Sequence, residues 1–275
     1  MKIIDLFRQP ETRCIEDLDD PVTTLLHAKI IQKKPFLKNI YIDFYKQFKK
    51  VGLDLPTSGR GVLRRTPYGE GTPCEKILVE LGSGGGFIKE VIPNVITSDT
   101  LELPNVDRIF SVFDMPFEQG SVDAFFMLDV LHHITNPRAF FKEALRCLKS
   151  GGKIVMIEPA NTLWSRFIYK NFHHELFDTQ AQWELAEIGP LSHGNGALAW
   201  TIFSRDREIF EQEFPSLTIV NMRNHTPLRY LLSGGLSLRQ LVPPFTYPAV
   251  KAVEYLLFPL NNLLGMFQTI ELQKQ

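Results

Sequence analysis

The chain has 275 residues, 44% of them hydrophobic, with 30 basic and 31 acidic side chains and a formal net charge of -1. That length and apolar content suit one large domain with appended parts and a sizeable core, and the balanced charge speaks against a broad basic surface for nucleic acid. Cys14, Cys74 and Cys147 stand far apart with no CxxC pair, so neither a disulfide framework nor a structural zinc site is expected and a reducing cytoplasm is the natural setting.

In chain order, the first segment carries Asp5 and no long apolar run, so no signal peptide is expected there. Residues 1–20 read as an irregular arm that turns acidic at Glu16, Asp17, Asp19 and Asp20. Asp20 followed by Pro21 suits a helix start, and a helix over 22–34 would end before Pro35. A second helix is predicted over 36–51, because Phe36, Ile40, Phe44, Phe48 and Val51 recur at spacings of three and four. Gly52 is its stop. Residues 53–75 are rich in Gly, Pro, Thr and Ser, and their Arg60, Arg64 and Arg65 read first as a solvated loop and second as contacts to an acidic substrate group.

From Ile77 onward apolar runs alternate with helical patterns, the signature of a parallel α/β sheet. Strands are predicted at 77–81, 95–99, 107–112, 122–128 and 153–157, and again at 217–221. A short helix is predicted over 85–91, closed by Pro93. Asn136 with Pro137 behind it opens another to about Lys149, with Phe140, Phe141, Ala144, Leu145 and Leu148 on one face. Residues 160–200 form an insertion longer than a plain connection, with Trp164, Trp183, Trp200, His173, His174 and His193. Substrate contacts are expected there. Residues 206–214 read as a helix, 225–247 as a Pro/Gly-rich excursion, 248–257 as a helix. At 266–274 an imperfect period-two pattern predicts a terminal strand. The longest apolar stretch, 255–267, is broken by Pro259, Asn261, Asn262 and Gly265 and is too short to span a bilayer.

The chemistry gathers around Glu80-Leu-Gly-Ser-Gly-Gly-Gly86. Gly82, Gly84 and Gly86 follow the first strand directly, which speaks against a mere linker. Phe87 occupies the position where a dinucleotide fingerprint wants a third spaced glycine, which lowers the case for a nicotinamide-dependent oxidoreductase. Asp99 ends the next strand, 19 residues after Glu80, where a carboxylate can accept ribose hydroxyls. Asp114, flanked by Phe113 and Met115, can accept from an adenine amino group.

These residues, with the motifs VELGSGGG (79–86), SD (98–99), FDMPFEQGSVDAFFMLDVLHHI (113–134) and ALRCLKSGGKIVMIEP (144–159), resemble the class I S-adenosylmethionine-dependent methyltransferases, in particular the ubiquinone/menaquinone-biosynthesis type. The resemblance covers about 76–160 well and the later strands loosely. It implies a Rossmann-like α/β fold with a seven-stranded sheet, helices on both faces, and an antiparallel last strand beside the fifth, which the segment 266–274 fits. It implies S-adenosyl-L-methionine as cofactor, with Glu80, Gly82, Ser83, Gly84 and Gly86 at its methionine end. Asp99 would take the ribose, and Phe113, Asp114 and Met115 the adenine. Leu128 and Asp129 would lie at the sulfonium. In this reading residues 1–75 cover the substrate side, and 76–275 are the cofactor-binding domain with insertions at 160–200 and 225–247.

Methyl transfer needs alignment and exclusion of water more than it needs a base. His133, with its neighbour His132, and Glu158 are the candidate catalytic residues at the strand ends. His173 and His174 with Glu175 and Asp178 suggest a metal cluster, but adjacent histidines fall on different helix faces, so no metal site is expected. The expected activity is methyl transfer to an oxygen or carbon of a small-molecule, lipid- or sugar-linked metabolite, partly hydrophobic. A non-catalytic cofactor-binding regulator of the same fold is the alternative.

Overall fold

The computed structural model describes Arg8 and residues 21–55, 76–173, 175–185 and 194–275. The rest of the acidic arm, the loop arginines Arg60, Arg64 and Arg65, Cys14, Cys74, His174 and His193 lie outside the described residues.

Among the described residues one sheet contains seven strands: β1 (Leu78–Leu81), β2 (Ile96–Asp99), β3 (Arg108–Ile109), β4 (Val122–Leu128), β5 (Leu148–Pro159), β6 (Leu217–His225) and β7 (Phe267–Lys274). Their spatial order is β3-β2-β1-β4-β5-β7-β6. The first five are parallel, and β7 runs antiparallel between β5 and β6. This is the expected seven-stranded fold. The strand order reverses between β1 and β4, and such a switch point opens a crevice at the carboxyl ends of the strands.

The core follows from strand alternation. Phe125 and Met127 of β4 and Ile154 and Met156 of β5 join one cluster, while Ala124 and Phe126, Val155 and Ile157 join the other. Helix α3 (Pro137–Cys147) covers the first face. Its Asn136 Oδ1 accepts from Ala139 N at 2.9 Å and Pro137 follows, as the sequence predicts. On the other face lie α1 (Pro21–Lys33) and α2 (Pro35–Asp54), whose Phe36, Ile40, Phe44 and Phe48 are all buried. Phe48 stacks on Phe126 with centroids 5.0 Å apart. Phe48→Ala should therefore cost about 3–5 kcal/mol in urea unfolding; a loss under about 1 kcal/mol would mean that α2 does not anchor on the sheet.

Several local expectations change. The helix predicted over 85–91 is a single 3₁₀ turn, Ile88–Glu90. Gly86 N donates to Ser83 O, and Phe87 and Ile88 turn into the core, so the chain has no room to wind further before Pro93. The third strand shrinks to two residues. β6 continues to His225, into what reads as an excursion by sequence. The terminal strand exists, but it does not alternate between core and solvent at its start: Phe267, Gln268, Thr269 and Ile270 are all buried, because β7 is an interior strand between β5 and β6.

The insertion after β5 contains α4 (Leu163–Phe172), opened by a reciprocal Thr162–Ser165 capping box. Then come α5 (Leu198–Trp200), a π turn over Thr201–Arg205, and α6 (Arg207–Glu213). Between β6 and β7 lie α7 (Arg229–Ser233), α8 (Tyr247–Leu256) and α9 (Asn261–Leu264). Arg229, buried at the head of α7, ties this region to α2 through Asp43 at 2.7 Å.

Candidate active site

Two cavities meet at the carboxyl ends of the central strands. The larger, about 500 Å³, runs from the glycine turn after β1 past Asp99 and Phe113 to Asp129 and His133. The smaller, about 180 Å³, is lined by Tyr41, Asp129, His132, His133, Glu175 and Tyr230, among others. Asp129 and His133 line both.

The glycine turn is stitched to β2. Ser83 N donates to Ser98 O at 2.8 Å, and Ser98 N donates to Ser83 Oγ at 3.2 Å. Asp99 is fixed by two backbone donors, Gly84 N on Oδ2 at 2.8 Å and Leu101 N on Oδ1 at 3.0 Å. Gly82 and Gly84 have φ of +64° and +49°, the left-handed region that glycine enters freely. A Cβ on Gly82 would also lie 2.7 Å from Val130 Cγ2, and one on Gly85 2.7 Å from Ala28 Cβ of α1. The turn is thus pressed between β4's exit and α1. Beside it Glu80 is 2% exposed, and its Oε2 has no hydrogen-bond partner. Burial, reinforced by the Asp99 charge and only partly relieved by a hydrogen bond to Ser83, pushes its carboxyl up to about 8.

Asp129 closes β4 in a left-handed conformation, φ +56°, which is uncommon for a residue other than glycine. Its N–H is held by Ile157 O at 2.9 Å. Burial pushes its carboxyl up to about 8; His132 opposes this, while Glu158 and Glu175 add to it. Burial, with Asp129 opposite, also raises the Tyr41 phenol far above its ordinary value.

Behind Asp129 lies a buried chain of polar groups. Glu158 is fully buried. Its Oε1 accepts from Val130 N at 3.0 Å and Leu131 N at 2.8 Å, and its Oε2 sits 2.6 Å from His132 Nδ1. His132 Nε2 is 3.4 Å from Glu175 Oε2, and His133 Nε2 is 3.9 Å from Glu175 Oε1. Burial alone would lower the His132 pKa, but Glu158 and Glu175 outweigh it and hold the imidazole well above its usual value. Burial alone would raise the Glu175 carboxyl, but the neighbouring His132, with His173 and His133, outweighs it and keeps that carboxyl well below its usual value.

The structure brings Gly82, Gly84, Asp99, Phe113, Asp129 and His133 onto one cavity. Glu80 and Ser83 are buried beside it. Gly86 instead borders a separate groove with Phe87, Thr97 and Asp107. Asp114 is exposed and lines neither cavity. Met115 is 2% exposed in the core, its N–H on Glu143 Oε1 at 2.8 Å. Leu128 packs against the α2-side core. Glu158 lines neither cavity and faces His132 and backbone. Sequence reasoning misses Tyr41 and the linking role of His132, and it meets Glu175 only in a metal grouping with His173, His174 and Asp178 that it sets aside, not as the partner of His132 and His133. The available signal was a charged residue, Glu175, set among His173, His174 and Phe177 in an aromatic stretch.

Residues 79–156, which span β1 through most of β5, match the family described as a methyltransferase domain. That stretch carries a methyltransferase domain, set in the seven-stranded sheet with its antiparallel last strand. No curated protein sequence matches the chain. Among solved structures, a geranyl diphosphate C-methyltransferase from Streptomyces coelicolor is 14% identical, over 73% of this chain and 71% of that one, with a TM-score of 0.38. An S-adenosylmethionine-dependent methyltransferase from Mesorhizobium loti is also 14% identical, over 72% and 90%, with a TM-score of 0.42. A putative sarcosine dimethylglycine methyltransferase from Galdieria sulphuraria is 13% identical, over 85% of each chain, again at 0.42. At these scores the likenesses carry no argument about the acceptor. In the methyltransferase domain the glycine turn, Asp99 and Asp129 all sit at the β1/β4 switch point, and the two histidines follow β4 directly.

Proposed function

We propose that this chain is an S-adenosylmethionine-dependent methyltransferase acting on an oxygen or carbon of a small, partly hydrophobic acceptor, lipid- or sugar-linked metabolites included. The observation that carries the reading is the buried carboxylate of Glu80, with one unpartnered oxygen, beside a left-handed glycine turn at the switch point of the sheet. A buried orphan acceptor is costly unless a ligand satisfies it, and a cofactor ammonium group would do so. S-adenosylmethionine, when bound, supplies an electrophilic methyl group on a sulfonium.

The chain's own residues then divide the remaining work. Glu80 and the turn at Gly82, Ser83 and Gly84 would hold the methionine end. Asp99 is oriented by Gly84 N and Leu101 N, and its free lone pairs would accept ribose hydroxyls. Phe113, on the rim of the large cavity, would cover the adenine. Asp129 and His133 stand where the two cavities join, so the acceptor would occupy the smaller one and meet the methyl group there. His133 would take a proton from the acceptor where no cation is bound. A third cavity of about 70 Å³, lined by Ile168, Phe172, Leu231, Leu236, Leu238 and Met266 among others, adjoins the second through Tyr169 and Tyr230 and suits an apolar extension of the acceptor. Among the described residues no helix is long and apolar enough to cross a membrane.

Calorimetric titration with S-adenosylhomocysteine tests the reading. Micromolar binding is expected, and Asp99→Ala should weaken it by about tenfold to a hundredfold, the worth of one or two charge-assisted hydrogen bonds. Folded wild-type protein that takes up no ligand at high micromolar concentration would sink it.

A further inference from the structure

The acceptor cavity contains a convergence of donors that methyl transfer to a simple acceptor does not require. We infer that His132 Nε2, His133 Nε2 and the Glu175 carboxylate form a binding site for a first-row divalent cation of the zinc class, open on the acceptor cavity. The cation is an additional ligand of the protein; its suggested role in methyl transfer rests on the reading above, but its binding does not.

Three observations carry the inference. The first is convergence: one atom from each of the three residues lies within 4.8 Å of the others. The contacts of 3.4 Å and 3.9 Å to the two Glu175 oxygens are longer than good hydrogen bonds. The 3.4 Å contact matches the roughly 3–3.5 Å that separates donors placed about 2.0–2.2 Å from one tetrahedral ion, and the 3.9 Å contact requires a closure of a few tenths of an ångström on the His133 side.

The second is the support behind the donors. Glu158 is fully buried and clamped by Val130 N and Leu131 N, and it receives His132 Nδ1 at 2.6 Å. A carboxylate on one ring nitrogen fixes the tautomer and turns the other nitrogen outward, which is the arrangement found behind metal-bound histidines. His133 is seated from its other side: a Cβ on Gly194 would lie 2.7 Å from His133 Nδ1, so only glycine lets that strand of chain close on the ring. Asn195 N donates to His132 O at 2.9 Å, and Asn195 Oδ1 accepts from Asp178 N at 2.9 Å. The segment bearing Glu175 is thereby tied to the pair of histidines.

The third is charge and access. Asp129, Glu158 and Glu175 bring three carboxylates into one largely buried region. A dication compensates such an excess of anionic groups better than protons alone. The donor set is two nitrogens and a carboxylate, which suits zinc, cobalt, manganese or iron rather than calcium or magnesium. His132, His133 and Glu175 all line the acceptor cavity, so positions not filled by protein face the place where an acceptor would bind. An ion there would hold an acceptor oxygen as a Lewis acid and lower its pKa, and with its Nε2 on the ion His133 would act as a ligand in place of its role as base. Acceptors with a hydroxyl next to a second oxygen, as in a sugar diol or a hydroxy acid, would chelate it.

The test uses the full chain after dialysis against chelator. Titrated with Zn²⁺ in the calorimeter, wild type should bind one equivalent at low micromolar or better, and Co²⁺ should give visible bands of a low-symmetry four- or five-coordinate ion. Glu175→Gln and, separately, His133→Asn should weaken Zn²⁺ binding by a hundredfold or more while S-adenosylhomocysteine binding stays within a few-fold for Glu175→Gln. A wild type that binds the homocysteine derivative but neither metal overturns the cation site and leaves the methyltransferase reading standing. Metal binding that survives both substitutions also overturns it. Metal binding without any uptake of the homocysteine derivative supports the site and sinks the methyltransferase reading instead.

Discussion

Glu80→Gln is expected to separate stability from ligand binding. The Glu80 carboxyl titrates near 4.5 when exposed and is pushed up to about 8 by burial in the folded chain. The folded state therefore holds the proton more tightly than the unfolded state. The stability contributed by the protonated form is complete below about pH 4.5, declines through the interval, and is gone above about pH 8, at up to ~1.4 kcal/mol per pH unit. Glutamine has no proton to lose, so the unliganded variant should gain on wild type across that window, by a few kcal/mol at its upper end. Asp129 shifts in the same direction but is present in both proteins and cancels. Binding should move the other way. A cofactor ammonium loses its charged partner, and S-adenosylhomocysteine affinity should fall about 30- to 100-fold, from ~2–3 kcal/mol for a buried charge-assisted hydrogen bond. Urea midpoints measured from about pH 5 to about pH 9 decide the first half; parallel curves for the two proteins would rule it out.

Glu158→Gln should be among the most damaging conservative changes in the chain. Glu158 is fully buried, and the glutamine carbonyl can still accept from Val130 N and Leu131 N. What it loses is the charge opposite His132 Nδ1. Breaking one partner of a buried ion pair costs about 3–5 kcal/mol. Glu158→Ala should cost more, since the two backbone donors are then orphaned as well. The pH dependence has a definite sign. The folded His132 pKa lies well above its usual 6.5, so the pair's contribution is complete below that value and is lost as pH rises through the raised folded one. The variant's deficit should shrink in alkaline buffer. A variant that unfolds at the wild-type denaturant concentration near neutral pH would remove the ion pair from the account.

Much of the frame was legible because it is periodic. The alternation of apolar runs with helical stripes locates β1, β2 and β4 within a residue or two and the core of β5, which starts earlier, at Leu148; Asn136-Pro137 marks the start of α3 through its side-chain cap. The cofactor end was legible for a different reason. Glycines after a strand and an acid at the end of the next one are local signals, and β1 and β2 are neighbours in the sheet, so sequence proximity becomes spatial proximity. The helix after the turn was not legible. Its pattern is apolar enough, but Phe87 and Ile88 bury against Tyr45, Tyr41 and the α2 side, and packing overrode local propensity.

The sequence by itself determined where the central strands lie and the glycine turn with Glu80 and Asp99 beside it. It could do so because those features are written in contiguous residues with a fixed period. Only the tertiary structure decided which acids and histidines face each other. Glu158 reads as a cleft residue and is instead a fully buried partner of His132. Glu175 lies in an insertion with no regular pattern, yet it closes on His132 and His133 because the Asn195 backbone and side chain fasten that insertion to the exit of β4. Such contacts link residues far apart in the chain, and no local period encodes them; they exist only once burial has chosen which loops fold over the carboxyl ends of the strands.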